Sequence, residues 1–161
     1  MAETYNLTDG SITGQPKVSD TLPNTTGLYT RRNIVDCANI NSGSGLDAGN
    51  ADVAQVINIP ADTWVLQVVL RTITAETANG TVDLGSDTDV DQWGAALAID
   101  ASAGIVDTID IAEYFASANT IDVLATTDTA DVDIDGWKFE IIALMLPGSK
   151  VDTDGVSYGS T

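Results

Sequence analysis

From Asn33 onward the chain is written in runs of alternating apolar and polar residues, the period-two signature of half-buried strands. Asn33–Ala38 reads as a short strand, followed by a Gly/Ser/Asn loop over 41–45. Val53–Ile59 is stopped by Pro60, which has no amide hydrogen to give to a ladder. Trp64–Thr74 is the longest run. Strict alternation puts its Leu66, Val68 and Leu70 on one face and Val65, Gln67, Val69 and Arg71 on the other. Asn79 and Gly80 form a turn signal leading into Thr81–Leu84. Ile105–Ile111 and Thr120–Leu124 follow, then a run from Asp131 to Leu146 that breaks or bends at Gly136. Ala95–Ile99 or Ile111–Ala116 is expected to hold one short helical turn.

About eight short strands at this spacing predict an all-β fold, an antiparallel β-sandwich of jelly-roll-like kind or a small barrel. Residues 1–32 are polar and punctuated by Gly10, Gly14, Pro16, Pro23 and Gly27, with no sustained apolar period. They read as an extended N-terminal arm without a core of its own, with plain terminal disorder as the alternative. The body is expected over 33–147 and a flexible tail over 148–161.

Composition agrees with the pattern and sharpens it. Of 24 acidic residues 20 are Asp and 4 are Glu, and Asp competes with the backbone and belongs to turns and caps rather than helix interiors. A helical bundle is excluded. A length of 161 residues suits one domain, and 43% hydrophobic content is too high for a disordered acidic tail, so the net charge of −18 sits on something that folds. That charge is uneven. Residues 1–50 hold 3 basic and 5 acidic side chains, whereas 51–161 hold 3 and 19.

The same inventory narrows the chemistry. With no His, no imidazole can act as base, shuttle or metal ligand. Cys37 is the one cysteine, which permits no intrachain disulfide and reads as a buried structural thiol. Six basic residues among 24 acids argue against a nucleic-acid footprint. The opening residues show no signal-peptide pattern, and the strongest apolar run, Ile141–Leu146, is far short of a membrane span. A soluble protein made in the cytoplasm is expected.

Two acidic clusters raise the question of calcium. Asp131, Asp133 and Asp135 with Gly136 copy the first half of an EF-hand loop, but the twelfth position, where the bidentate Glu belongs, is Ile142. Asp87, Asp89 and Asp91 repeat the alternation with Gln92 in place of the Gly. Alternate Asp on a strand share one solvated face, which accounts for both clusters without Ca²⁺. Paired carboxylates would be needed for a glycosidase, the common hydrolytic chemistry that needs no His. Aromatics are only 6% of the chain, and Trp64, Trp93 and Trp137 are scattered, so no enzyme is expected.

Several segments together resemble a known class of protein. They are Ala51–Val56 running into Ile59–Leu66, then Thr74–Glu76, Thr81–Gly85 and Ala118–Leu124. The series resembles small virion proteins of tailed bacteriophages, in particular capsid decoration (cement) proteins, over roughly Ile34 to Leu146. The resemblance implies a β-sandwich on the outside of an icosahedral shell, bound to the major capsid protein, commonly as a homotrimer, in virions assembled in the host cytoplasm. It supplies no catalytic residues and no cofactor. A body that bridges capsomers can add a strand to an exposed edge or lay an arm across a neighbour. Arg31 and Arg32, the only adjacent basic pair, are the capsid-contact candidates, against a plainer reading as a solvated pair facing the protein's own acids. A rival reading with the same construction is a head-fibre or tail-associated protein, in which Trp93 and Trp137 stack on a host surface glycan.

Overall fold

The computed structural model describes residues 2–8, 28–77, 80–100, 104–109, 112–126 and 133–148. Twelve strands account for its regular structure: β1 (Thr4–Asn6), β2 (Tyr29–Asp36), β3 (Leu46–Asp47), β4 (Val53–Ile59), β5 (Thr63–Thr74), β6 (Thr81–Gly85), β7 (Gly94–Ala98), β8 (Gly104–Ile109), β9 (Glu113–Phe115), β10 (Asn119–Thr126), β11 (Asp133–Ile134) and β12 (Lys138–Pro147). Among the described residues the only helical pieces are 3₁₀ turns at Cys37–Asn39, Asn41–Gly43 and Ala48–Asn50. The fold is all-β, as the alternation predicts. Strands run β1-β4-β10-β6-β7 in one sheet and β2-β12-β5-β8 in the other, where β9 also pairs with β5, while β11 and β3 form a separate small ladder. Among the described strands only β1 pairs parallel to its neighbour, β4.

Each sheet turns its apolar positions toward one shared core. Ala54, Val56, Leu84, Ile121 and Val123 come from the first sheet and Val35, Val68, Leu70, Phe139 and Ile141 from the second, all fully buried. Burial of so many aliphatic side chains is the main favourable term in such a fold. Trp137 is buried as well. Its ring stacks on Phe139 at 4.0 Å, and its indole N–H donates to Thr72 Oγ1 at 3.2 Å.

Strict alternation fails in β5, and the reason is a bulge. Gln67 lies opposite Leu144 and Val65 opposite Met145, so Leu66 is an extra residue with no partner on β12. The extra residue reverses the phase. Val65 is buried with Val68 and Leu70, and Leu66 is half-exposed, the opposite of the faces read from the sequence. The helical turn expected at Ala95–Ile99 or Ile111–Ala116 is also corrected. Gly94–Ala98 is β7, paired with β6, and Glu113–Phe115 is β9, paired with β5. Sheet pairing outweighs the mild helix preference of the Ala-rich stretch. The break at Gly136 is present. Its N–H donates to the buried Glu76 carboxylate at 2.9 Å, which turns the chain between β11 and β12.

The early residues are built into both sheets. Glu3 accepts from the Val53 N–H at 2.8 Å, Leu7 donates to the Gln55 carbonyl at 2.9 Å, and the Leu7 side chain is 2% exposed. Pairing of β2 with β12 begins at Tyr29, four residues ahead of the strand start read from the sequence, and ends at Asp36. Between these two pieces, residues 9–27 fall outside the described residues, as does the tail beyond 148.

One glycine shows how tightly the 41–45 loop is seated. Gly45 has φ +72°, and a Cβ there would lie 2.0 Å from the Ile134 carbonyl oxygen of β11. Both the conformation and the space require glycine. Gly45→Ala is expected to lower unfolding stability by roughly 2–4 kcal/mol through strain and displaced backbone. Urea denaturation followed by Trp fluorescence measures it, and a midpoint unchanged from the parent chain would show that the loop is not held against β11.

Candidate interaction surface

The outward face of the second sheet is organised in rows across β2, β12 and β5. Directly paired residues of an antiparallel ladder point to the same side. The rows are therefore Asp36–Lys138–Thr74, Ile34–Glu140–Arg71, Arg32–Ile142–Val69 and Thr30–Leu144–Gln67. Ile34, Val69, Ile142 and Leu144 are half-buried on this face, and Leu146 beyond them is 37% exposed. All four described basic residues belong to these three strands: Arg31 and Arg32 on β2, Arg71 on β5 and Lys138 on β12.

Glu140 holds the centre. Its side chain is 2% exposed although it points outward, because Arg32 from one side and Arg71 from the other close over it. The Arg71 contact is 2.6 Å, and Arg32 pairs with the other carboxylate oxygen. A buried carboxylate needs such partners to offset desolvation, and two guanidiniums supply directed donors. Both arginines stay substantially exposed, at 57% and 44%, so their outer edges face solvent. Lys138 pairs with Asp36 at 3.2 Å. Arg31 has a different task. Its guanidinium donates to the Asn58 carbonyl of β4 at 2.7 Å and lies 6.0 Å from the Tyr29 ring, tying the edge of one sheet to the other.

The acidic candidates are placed as follows. Asp131 lies outside the described residues, Asp133 is exposed on β11 opposite Asp47, and Asp135 is exposed beside Gly136. Asp87, Asp89 and Asp91 are exposed on the 86–93 loop, where the Asp89 and Asp91 carbonyls accept from Gln92 and Gly94. Among the described residues, no three acidic or Cys side chains gather into a group able to hold a metal ion. Cys37 is buried, and desolvation with Asp36, Glu76 and Asp135 nearby pushes its thiol far above the ordinary range.

The two tryptophans assigned to glycan stacking are not at the surface, which is a correction. Trp93 is 2% exposed and packs 6.1 Å from Phe115, and Trp137 is 0% exposed, so neither face can meet a sugar ring. The accessible aromatic pair is Trp64 with Tyr114, centroids 5.2 Å apart, the tyrosine hydroxyl donating to Asp62 at 2.7 Å. Tyr114 borders an open cleft of about 530 Å³ with Asp89, Gln92, Glu113 and Asn119.

No family model matches this sequence, and no curated protein does. Three solved structures match the fold. A chain in the capsid of Ralstonia phage GP4 has TM-score 0.62 at 14% identity, over 92% of this chain and 100% of that one. One in the acidic stable capsid of Helicobacter pylori bacteriophage KHP30 gives 0.52 at 16%, over 76% and 89%. One in the cyanophage Pam1 capsid asymmetric unit gives 0.52 at 17%, over 78% and 89%. The chain has a fold found in phage capsids.

On the opposite sheet, sequence reasoning missed one residue. Asp122 occupies an outward position of β10, where alternation reads it as solvated, yet it is 6% exposed and its Oδ1 has no hydrogen-bond partner. Burial raises its pKa to about 6, the Thr120 hydrogen bond works the other way, and Asp87 adds repulsion. A carboxyl raised in this way stabilises the fold fully below its unfolded value of 3.8, and that stabilisation is lost as pH climbs through about 6. Asp122→Asn is therefore expected to be more stable than the parent chain above pH 6, by roughly 1–2 kcal/mol after solvent screening. The gap should close between pH 6 and pH 4. Parallel thermal melts across that window measure it, and a gap independent of pH would refute the assignment.

Proposed function

We propose that this chain is a structural protein of a tailed-phage virion, a decoration (cement) protein that binds the outer surface of the capsid and bridges capsomers. The observation that carries the reading is the fold shared with chains of three phage capsids over most of both lengths. The outward face of β2, β12 and β5 fits the contact this role needs. It combines an aliphatic patch with arginine, a residue enriched at protein interfaces, on a chain that is otherwise strongly acidic. On this reading Arg32 and Arg71 meet acidic or carbonyl groups of the major capsid protein, while Ile142, Val69 and Leu144 fill its apolar hollows. No chemistry is required of the chain, so the reading is non-enzymatic. Assembly as a homotrimer belongs to the same proposal, since neighbouring copies at a capsomer junction share the bridging load.

A second reading has one observation in its favour. The cleft beside Tyr114 combines an aromatic ring with Asp89, Gln92, Glu113 and Asn119, the side chains a sugar needs. In that case the chain is a head-fibre or tail-associated protein that binds a host surface glycan.

Sedimentation separates the two. Purified protein mixed with expanded capsids that lack it should pellet with them, saturating at a fixed ratio to the shell protein. Ile142→Asp, at the centre of the outward face, should weaken binding by about tenfold or more while the thermal midpoint stays within a few degrees. High salt should weaken binding too, because exposed charges are screened. Absence of co-sedimentation together with a positive glycan array would overturn the capsid reading in favour of the second. Light scattering that gives only a 16.7 kDa species at high concentration would overturn the trimer.

A further inference from the structure

The first strand of the chain sits in a seat made for it at the edge of the first sheet. Among the described strands β1 pairs only with β4, in parallel, Thr4 opposite Val53, Tyr5 opposite Ala54 and Asn6 opposite Gln55. The seat is closed at both ends. Buried Asp52 accepts from the Glu3 N–H at 2.8 Å and from the Asp47 N–H at 3.1 Å, so one carboxylate ties the entering strand to β3. At the far end the Leu7 side chain is buried in the core. There Asn33 of β2 donates to the Leu7 carbonyl at 3.3 Å and to the Val56 carbonyl at 2.9 Å. Main-chain bonds with one anchoring side chain are how an extended segment adds to an exposed sheet edge.

The length of chain that follows β1 is out of proportion to the gap it crosses. Leu7 lies against Asn33, which is five residues along the chain from Leu28, so Thr8 and Leu28 are less than about 30 Å apart. About nine residues would bridge that distance, and the 9–27 segment has 19. Fully extended, 19 residues reach roughly 65 Å, well beyond the width of about 40 Å of a domain of this size. Connections inside compact domains run to roughly 4–6 residues. This one also carries one Lys and two Asp only, so it brings little of the charge that holds the bodies of two copies apart.

We propose that the seat on β4 takes β1 from a second copy of this chain, so that self-associated copies exchange their first strands. Identity of fit selects that occupant. A second copy brings the same Glu3 amide to Asp52, the same Leu7 side chain to the core and the same carbonyl to Asn33, so no contact is lost on exchange. The connection alone then separates a strand's own seat from its neighbour's. One cut to the length of its own gap would forbid exchange, whereas one of twice that length lets the strand cross to a copy held alongside, at high effective concentration. Exchange adds what the closed form lacks, because copies tied in this way part only when β1 leaves its seat. The inference rests on the self-association put forward above and not on binding to a capsid.

The test places cysteines at the paired positions Thr4 and Val53, one exposed and one half-buried, where neighbouring strands bring the backbones within disulfide reach. The full chain carrying both Thr4→Cys and Val53→Cys is oxidised at about 100 µM, a concentration that populates micromolar self-association, and run on a gel without reductant. Exchange predicts that most of it migrates as covalent dimers and trimers, which the parent chain with buried Cys37 alone does not form. A single band at 16.7 kDa, shifted only by an internal bridge, overturns the exchange. A second measurement needs no substitution. Equal amounts of carbon-13-labelled and unlabelled chain are unfolded and refolded together, and an isotope-filtered spectrum is read for transfer between Tyr5 of one chain and Ala54 of the other. Exchange predicts cross-label transfer at about half of the total Tyr5–Ala54 intensity, and its absence overturns the proposal whatever the gel shows. Light scattering keeps the failures apart. An oligomer with internal bridges only removes exchange and leaves the trimer, a monomer removes both, and co-sedimentation with capsids is decided by neither.

Discussion

The ladder between β5 and β12 constrains everything else in this molecule. These are the two longest strands, and their pairing runs from Lys138 opposite Thr74 to Pro147 opposite Thr63. Its inner side supplies Val65, Val68, Leu70, Phe139, Ile141, Ala143 and Met145 to the core. Its outer side sets Arg71 opposite Glu140 and Val69 opposite Ile142. A slip of one residue would exchange those sides, turning a buried aliphatic layer outward and a carboxylate with its arginine inward. Glu140 therefore also acts as a check on register. Its burial is tolerable only where Arg32 and Arg71 arrive together, and they arrive together only in this alignment.

The bulge at Leu66 shows where reading the sequence stops being sufficient. Trp64–Thr74 announces itself as a strand by composition and alternation, and it is one. Which side chains face inward along its first half depends on an unpaired residue created by the partner strand some eighty positions away. No local pattern carries that. The same limit explains the Ala-rich stretch, whose weak preference for helix gives way to pairing with β6, and Thr4–Asn6, too short to show any period. The turn at Gly136 was legible because glycine and alternation mark it locally, although its acceptor, Glu76, is far away in sequence. Fold class was thus written in local patterns, and facing was not.

The surface residues divide in a similar way. The sequence singled out Arg32, and the structure puts it on the cationic face, but Arg71 and Lys138 join it only through strand order. Trp93 and Trp137 looked available because acidic turns flank them. Those turns instead cap a core that takes up both indoles. Asp122 is the converse, an alternating polar residue that ought to be solvated. Its burial is the work of the 86–93 loop, and that loop's path rests on the absence of a side chain at Gly85. Local polarity predicts exposure only while nothing distant folds over it.

Charge gives the two faces different meanings. A chain at −18 repels its own copies and any acidic surface, and at physiological ionic strength that repulsion reaches about 8 Å from the protein. Close contact is cheapest where the field is locally cancelled. On the rows of β2, β12 and β5, Arg32, Arg71 and Lys138 stand against Glu140 and Asp36, so the patch is slightly positive and its remaining positions are mostly aliphatic. The opposite sheet has no described cation and keeps Asp122 and Asp83 among its outward residues. The face of β2, β12 and β5 is therefore the one where close approach to another surface meets the least repulsion. The two faces are held a fixed distance apart by one packed core, and that spacing follows directly from the side chains that fill the space between the two sheets.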